Sequence, residues 1–190
     1  MATRGTPADH GLTGGELGAL IADRRTLDQL FSATYEELRR LAASVRRDDP
    51  HASLSPTALV NEAWLKLAGS PPFMLTSRLH FKRIAARAMR QVLIEAARRR
   101  GARKRGQGVP VVTFDDALQP AGGGSEELLA LDEALEQLAQ LNHRQATMVE
   151  SRFFGGLDVA ETAELLGVSE ATILRDWRAA KAWLAQEMRP

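Results

Sequence analysis

Basic side chains concentrate in one stretch of this 190-residue chain. Residues 82–105 contain ten lysines and arginines and a single acid, Glu95, which gives a local net charge of +9. The whole chain carries only +1, so acidic residues elsewhere offset this stretch. Segregated charge of this kind is typical of a surface that binds nucleic-acid phosphates. The structural alternative is a solvated helix end followed by a basic tail.

Motifs for covalent chemistry are missing from the sequence. It contains no cysteine, no HExxH, no phosphate-binding glycine loop and no GxSxG. The four histidines are scattered, so we expect no metal site, no cofactor and no catalytic residue. There is no signal peptide and no apolar run long enough to cross a membrane, which predicts a cytoplasmic protein with no membrane partner.

The elements that must position these basic residues are predicted to be helices. Ala, Leu, Arg and Glu are abundant, and apolar residues recur at three- and four-residue steps. We therefore expect an all-α protein with two small helical domains on a flexible linker. The predicted boundaries are a disordered N-terminus at 1–14, a first domain at 15–104, a linker at 105–125 and a second domain at 126–188. The first domain should contain helices from near Glu16 to the Asp48-Asp49-Pro50 stop, from Pro56 to Ala68 and from Arg78 to Arg100.

The second domain contains a helix-turn-helix pattern. Asp158 can cap one helix, Gly167 suits the turn, and Ser169 can cap the next helix. Arg175 and Arg178 share the outward side of that helix with small alanines, which would let it enter a DNA major groove and pair with guanine. The inward side should hold Ile173, Trp177, Ala180 and Leu184. A plain helical hairpin is the structural alternative.

The charge of this second domain is unusual for a DNA-binding unit. Residues 143–190 hold six basic and seven acidic residues. Because neutralisation of phosphates supplies much of DNA affinity, this domain should bind DNA weakly by itself. It is therefore expected to work as part of a larger assembly.

The long helix of the first domain presents a row of arginines on one side, formed by Arg83, Arg87, Arg90 and Arg98. Such a row suits a nucleic-acid backbone. Phe73, His80 and Phe81 lie at or before the start of the helix, where aromatic rings could stack on unpaired bases. A core position is the alternative for Phe81, and a surface position for His80. The buried stripe of the helix should hold Ile84, Ala88 and Val92.

The helix over residues 57–68 has two distinct faces. Its inward half is predicted to hold Leu59, Val60, Ala63, Trp64 and Leu67. Its outward half should hold Asn61, Glu62, Leu65 and Lys66. An exposed leucine among these polar residues indicates a protein contact, although a solvated face with one stray leucine is the alternative.

Taken in order, these segments resemble bacterial RNA polymerase sigma factors of the extracytoplasmic-function (ECF) group in the sigma-70 family. ALVNEAWLKL resembles the region 2 helix that binds the β′ clamp helices of core polymerase. FKRIAARAMRQVLIEAARRR resembles the helix that opens the −10 element. HRQATMVESRFFGGLDVAETAELLGVSEATILRDWRAAKAWL resembles region 4, which reads the −35 element and touches the β flap. The resemblance implies a sigma factor that binds core RNA polymerase and promoter DNA, melts the −10 element and directs transcription initiation.

The resemblance assigns three sets of binding residues. The core-polymerase set is Leu59, Asn61, Glu62, Leu65 and Lys66. The −10 set is His80, Phe81, Arg83, Arg87, Arg90 and Arg98. The −35 set is Ser169, Ala171, Thr172, Arg175, Arg178 and Lys181.

Two departures from the family pattern concern function. Many members have acids just before the clamp-binding helix, where this chain has Ser55-Pro56-Thr57-Ala58. Kinase-linked control occurs in parts of the family, which suggests that phosphorylation of Thr57, or of Ser55, supplies the missing charge; an ordinary helix cap is the alternative. Leu174-Arg175-Asp176 replaces the common Lys-Ser-Arg, so the −35 sequence cannot be borrowed from other members.

The resemblance also bears on the linker and on control. Asp115 and Asp116 fit an acidic patch that threads toward the polymerase active-site channel, or simply a solvated linker. An anti-sigma factor or a Ser/Thr kinase are the regulatory partners to expect. The runner-up is a stand-alone helix-turn-helix transcriptional regulator, which would need a dimerisation surface and specific DNA binding without polymerase. The acidic second domain and the basic first-domain helix argue against it.

Overall fold

The structure is a computed structural model that describes residues 20–21, 24–45, 54–71, 74–103, 113–114, 120–121 and 125–189. The helices in these residues are α1 Arg24–Val45, α2 Pro56–Ala68, α3 Arg78–Arg103, α4 Ser125–Leu141, α5 His143–Phe153, α6 Val159–Leu166 and α7 Glu170–Glu187. Two short antiparallel pairs accompany them, β1 Leu20–Ile21 with β2 Met74–Leu75, and β3 Thr113–Phe114 with β4 Pro120–Ala121. The predicted all-α fold class is confirmed.

The first helix is shorter than predicted. It begins at Arg24 rather than near Glu16, because Leu20 and Ile21 pair with Leu75 and Met74 in an extended conformation. The N-terminus predicted to be disordered and the Asp48-Asp49-Pro50 stop lie outside the described residues.

The ends of α2 follow from its sequence. Ser55 caps the helix, since its Oγ accepts a hydrogen bond from the Ala58 N–H at 3.0 Å, and Pro56 occupies the first turn, where no backbone donor is needed. Gly69 ends the helix with its N–H donating to the Leu65 carbonyl. The inward half packs on α1, with Trp64 stacked on Phe31 at a centroid distance of 4.6 Å. The predicted orientation of α2 is therefore confirmed.

The central element is α3, which contacts α1, α2, α4, α5 and α6. A single buried stripe was expected, but apolar side chains are buried on several sides of α3, because helices from both halves of the chain pack on it. Of the predicted stripe, Ala88 and Val92 are buried and Ile84 is partly exposed. The buried apolar residues are Phe81, Ala85, Ala86, Ala88, Met89, Val92, Leu93, Ile94, Ala96 and Ala97.

The turn between α5 and α6 packs against α1 and α3, and so joins the helices before residue 104 to those after residue 124. Gly155 lies so close to α3 that a Cβ there would stand 3.1 Å from the Ala86 Cβ. Gly156 has a φ of 64° and lies against Leu41 of α1. Buried residues of α1–α3 and α4–α7 form one continuous cluster. The helices on either side of residues 104–124 thus share a core, while the division into two domains stays a prediction.

One acid of α4, Glu127, is buried without a hydrogen-bond partner among the described residues. Glu127 of α4 is 3% exposed, and in the described part of the chain neither of its carboxylate oxygens has a hydrogen-bond partner. Burial raises the pKa of this carboxyl, because the charged form loses its hydration. The ionised side chain therefore destabilises the fold.

We predict that Glu127→Leu raises the free energy of unfolding at pH 8 by about 1–2 kcal/mol. The folded-state pKa lies above the unfolded-state value, so wild-type stability falls as pH rises through the folded-state pKa. The advantage of the variant should therefore shrink toward pH 4, as measured by urea unfolding at pH 4, 6 and 8. Glu126→Leu, at an exposed neighbour, should change stability by less than about 0.5 kcal/mol. An advantage that does not vary with pH would contradict this account.

Candidate nucleic-acid and protein interfaces

The helix-turn-helix is built by local capping. Asp158 and Glu161 form a reciprocal capping box: the Asp158 Oδ1 accepts from the Glu161 N–H at 2.8 Å, and the Glu161 Oε2 accepts from the Asp158 N–H at 3.1 Å. Gly167 ends α6 in the left-handed conformation, with a φ of 64°. The Ser169 Oγ then accepts from the Thr172 N–H at 3.2 Å and starts α7. The predicted caps and turn are confirmed.

The faces of α7 also match their prediction. Its inward residues Ile173, Trp177, Ala180 and Leu184 are all buried. Its outward side exposes Ala171, Arg175, Arg178, Ala179 and Ala182. Thr172 and Lys181 are half-buried at the edge. The arrangement therefore presents two arginines on a surface of small side chains, which can approach a DNA groove closely.

An ion pair between a buried acid of α7 and an exposed arginine of α5 holds the two helices together, and sequence reasoning missed it. Asp176 is 5% exposed and accepts from the Arg144 Nε at 3.1 Å and Nη2 at 2.8 Å. Arg152 of α5 lies over the Trp177 ring at 4.4 Å, and burial lowers the pKa of its guanidinium. Asp176 therefore faces the protein, whereas Arg175, the residue before it, faces outward. The opposite charges of Arg144 and Asp176 were the available signal for this ion pair, but sequence spacing alone does not show that the two residues meet.

The outward side of α2 is accessible except at one predicted position. Asn61 and Glu62 are exposed, and Leu65 is 62% exposed. Lys66 is half-buried, with its Nζ 2.7 Å from the Glu95 Oε1 of α3. Leu59 is completely buried and points into the core, so the structure removes its side chain from the accessible face.

The start of α2 offers two exposed hydroxyls and no acid in its first turn. The Ser55 Oγ is engaged in the cap described above. Thr57 lies within the first turn, where backbone N–H groups and the helix dipole favour negative charge. The lack of acids noted in the sequence therefore also holds for the folded surface at the start of α2.

The aromatic residues at the start of α3 do not form an open stacking platform. Phe81 is completely buried, as its alternative interpretation expected, so it cannot stack on a base in this conformation. His80 is half-buried, and its Nδ1 lies 3.3 Å from the Thr76 backbone nitrogen. Burial, and then the charge of Arg83, lowers the pKa of His80. Phe73 lies outside the described residues.

The arginine row of α3 is split between solvent and protein. Arg87 is exposed and Arg83 is half-buried. Arg90 is directed into the α4–α5 side of the protein, where its Nε donates to the Asp132 Oδ1 at 2.9 Å. Arg98 reaches the other oxygen of Asp132 at 3.3 Å. Only a part of the predicted row is therefore free to meet a nucleic acid in this arrangement.

A family model described as ECF sigma factor matches residues 22–190, which is most of the chain. The chain belongs to the ECF sigma factor family. No curated protein and no solved structure matched it. Membership gives this ECF sigma factor a role in transcription initiation, with core RNA polymerase and promoter DNA as its partners, and favours that role over a stand-alone regulator.

Two further properties concern the described residues. None of their helices is long and apolar enough to cross a membrane. They also contain no group of three or more His, Asp or Glu side chains placed to hold a metal ion.

Proposed function

We propose that this ECF sigma factor binds the β′ clamp helices of core RNA polymerase through the outward side of α2. The observation that carries this proposal is Leu65, which is 62% exposed on a helix whose other leucines, Leu59 and Leu67, are buried. Asn61 and Glu62 lie beside it and supply polar contacts at the rim. An apolar centre with a polar rim is the usual anatomy of a protein interface.

The promoter is contacted by two other helices in this proposal. The outward side of α7, with Arg175 and Arg178, reads the −35 element. The arginines of α3 bind the backbone of the −10 element as it opens, beginning with the exposed Arg87 and the half-buried Arg83. The second half, residues 126–188, also reaches the β flap. Its acidic character is consistent with a domain that draws affinity from polymerase rather than from DNA alone.

Control by phosphorylation is the finer part of the proposal. Thr57 is exposed in the first turn of α2, next to the proposed polymerase-binding face. A phosphate adds about −1.5 to −2 charges at neutral pH and is favoured at a helix N-terminus. Because the Ser55 hydroxyl serves the cap, Thr57 is the better acceptor. A Ser/Thr kinase would then switch polymerase binding on; an anti-sigma factor is the other partner that would regulate it.

Leu65→Asp should weaken binding to core RNA polymerase by about 30-fold or more, since a central apolar contact at an interface is worth about 2 kcal/mol or more. The measurement is fluorescence anisotropy of the labelled full-length protein titrated with core enzyme. Leu141→Asp is the matched control, because Leu141 is 70% exposed at the end of α4, away from α2. Equal loss in both variants, or no loss in Leu65→Asp, would reject the α2 interface.

Phosphorylation of Thr57 should strengthen binding to core polymerase by about tenfold, because it restores the negative charge that the first turn lacks. The test compares unmodified protein with protein carrying phosphothreonine at Thr57, both titrated with core enzyme at two salt concentrations. In the native cell, Thr57→Ala should fail to activate transcription, whereas Ser55→Ala should retain it. A Thr57→Ala protein as active as wild type would exclude the switch.

A further inference from the structure

The two halves of the protein carry opposite charge where they meet. Helix α3 has nine basic residues and one acid, a net charge of +8. Residues 125–189 hold twelve acids and six basic residues, a net charge of −6. These halves pack directly, since α3 contacts α4, α5 and α6. Acids of the second half therefore lie within reach of the basic helix.

Arg90 shows how closely the two sides match. Its Nε and Nη1 donate to the Asp132 Oδ1 at 2.9 Å and to the Glu150 Oε1 at 3.0 Å. Its Nη2 donates to the Asp132 backbone carbonyl at 3.0 Å. The side chains of Arg90, Asp132 and Glu150 are only 15%, 10% and 13% exposed, respectively. Each nitrogen of this guanidinium is thus occupied by an oxygen from α4 or α5, in a site largely closed to water.

Lys82 and Arg98 repeat the pattern at other points along α3. The Lys82 Nζ lies 2.8 Å from the Glu161 Oε1 of α6, and the lysine side chain is 7% exposed. The same nitrogen lies 3.4 Å from Glu37 of α1. Arg98, about four and a half turns further along, pairs with Asp132. Acids from α4, α5 and α6 therefore neutralise cations along most of the helix.

Carboxylates and phosphates compete for the same donors, because both accept charge-assisted hydrogen bonds from guanidinium and ammonium groups. A cleft of about 230 Å³ between α3, α4 and α5 is lined by Arg87 and Arg90 on one side and by Asp132 and Glu150 on the other. While α4 and α5 stay in place, the guanidinium nitrogens of Arg90 are bonded to their oxygens and are not available to a DNA phosphate.

We infer that an acidic face formed by Asp132, Glu150 and Glu161 occupies the basic side of α3 and competes with single-stranded DNA for it. The inference rests on the proposed role of α3 in binding the −10 element. In the free protein this intramolecular contact keeps DNA away from the basic side of α3. Separation of α4–α6 from α3 then exposes Lys82 and Arg90 to the promoter and releases the exposed Arg98 from its ion pair with Asp132.

The test compares two double variants of the full-length protein. Asp132→Asn/Glu150→Gln removes the partners of Arg90. Glu133→Gln/Glu164→Gln is the matched control, because it changes net charge equally at two exposed acids of α4 and α6. The probe is a fluorescent 20-nucleotide strand of deoxythymidine, followed by anisotropy at low salt.

We expect Asp132→Asn/Glu150→Gln to bind the oligonucleotide at least about tenfold more tightly than wild type, because apparent affinity scales with the fraction of open molecules. The control should change by no more than about threefold, from net charge alone. Equal tightening in both double variants, or no tightening in either, would overturn the inference.

A second variant keeps the test independent of misfolding at Arg90. Glu161→Gln removes the charge that pairs with Lys82, while glutamine can still complete the capping box of α6. It should also bind the oligonucleotide more tightly than wild type, with unchanged helical circular dichroism. Unchanged affinity in this folded variant would count against the acidic face.

Separation of the halves can be measured directly, since the chain has no cysteine. Cysteines introduced at the exposed Ala43 of α1 and Ala185 of α7 accept a donor and an acceptor dye. Energy transfer should fall in Asp132→Asn/Glu150→Gln and stay at the wild-type level in the control. Transfer that is equal in all three proteins would contradict opening.

The same proteins also separate this inference from the proposed function. Binding to core polymerase depends on α2, which none of these substitutions changes. Loss of core binding in every protein, wild type included, would reject the proposed function. The oligonucleotide and energy-transfer comparisons would still decide whether the acidic face blocks DNA from α3.

Discussion

A basic helix at the centre of the protein is the constraint on which the other helices depend. An unpaired charge that is removed from water costs several kcal/mol, so α3 can be buried only where acids meet its cations or where its side chains are apolar. Both conditions hold: its alanines and Met89 pack against neighbours, and Arg90 and Lys82 find carboxylates. Asp132, Glu150 and Glu161, from α4, α5 and α6, supply most of these carboxylates.

The same principle shapes the helix-turn-helix. Asp176 pairs with Arg144, and Arg152 lies over Trp177, so the charges near the core of this unit are used to hold α7. Arg175 and Arg178 remain outside, where they can meet DNA. In this unit the cations that hold the structure are therefore distinct from the cations exposed on its outward side. In a family of transcription initiation factors, this distinction explains how a chain of net charge +1 can still present basic surfaces.

Local features of the sequence predicted much of this architecture. Helix caps, the left-handed Gly167 and the apolar faces of α2 and α7 depend on neighbouring residues, so periodicity and capping rules were sufficient. The prediction was wrong or incomplete where distant residues decide the outcome. Leu20 and Ile21 pair with a segment more than fifty residues away, and Arg90 turns toward Asp132 because α4 packs on α3. Leu59 is a separate case, because the resemblance implies a polymerase contact at a position whose place on α2 already predicts burial.

Transcription from purified components tests most directly whether this protein acts as a sigma factor. Core RNA polymerase would be mixed with the unmodified or the Thr57-phosphorylated protein on a library of double-stranded DNA fragments, and the 5′ ends of the transcripts would be sequenced. A sigma factor of this architecture should produce starts that share two upstream elements at a fixed spacing, and Arg178→Ala should alter the preference at the upstream element alone. Transcripts no more abundant or selective than those of core polymerase alone, with either form of the protein, would contradict the account.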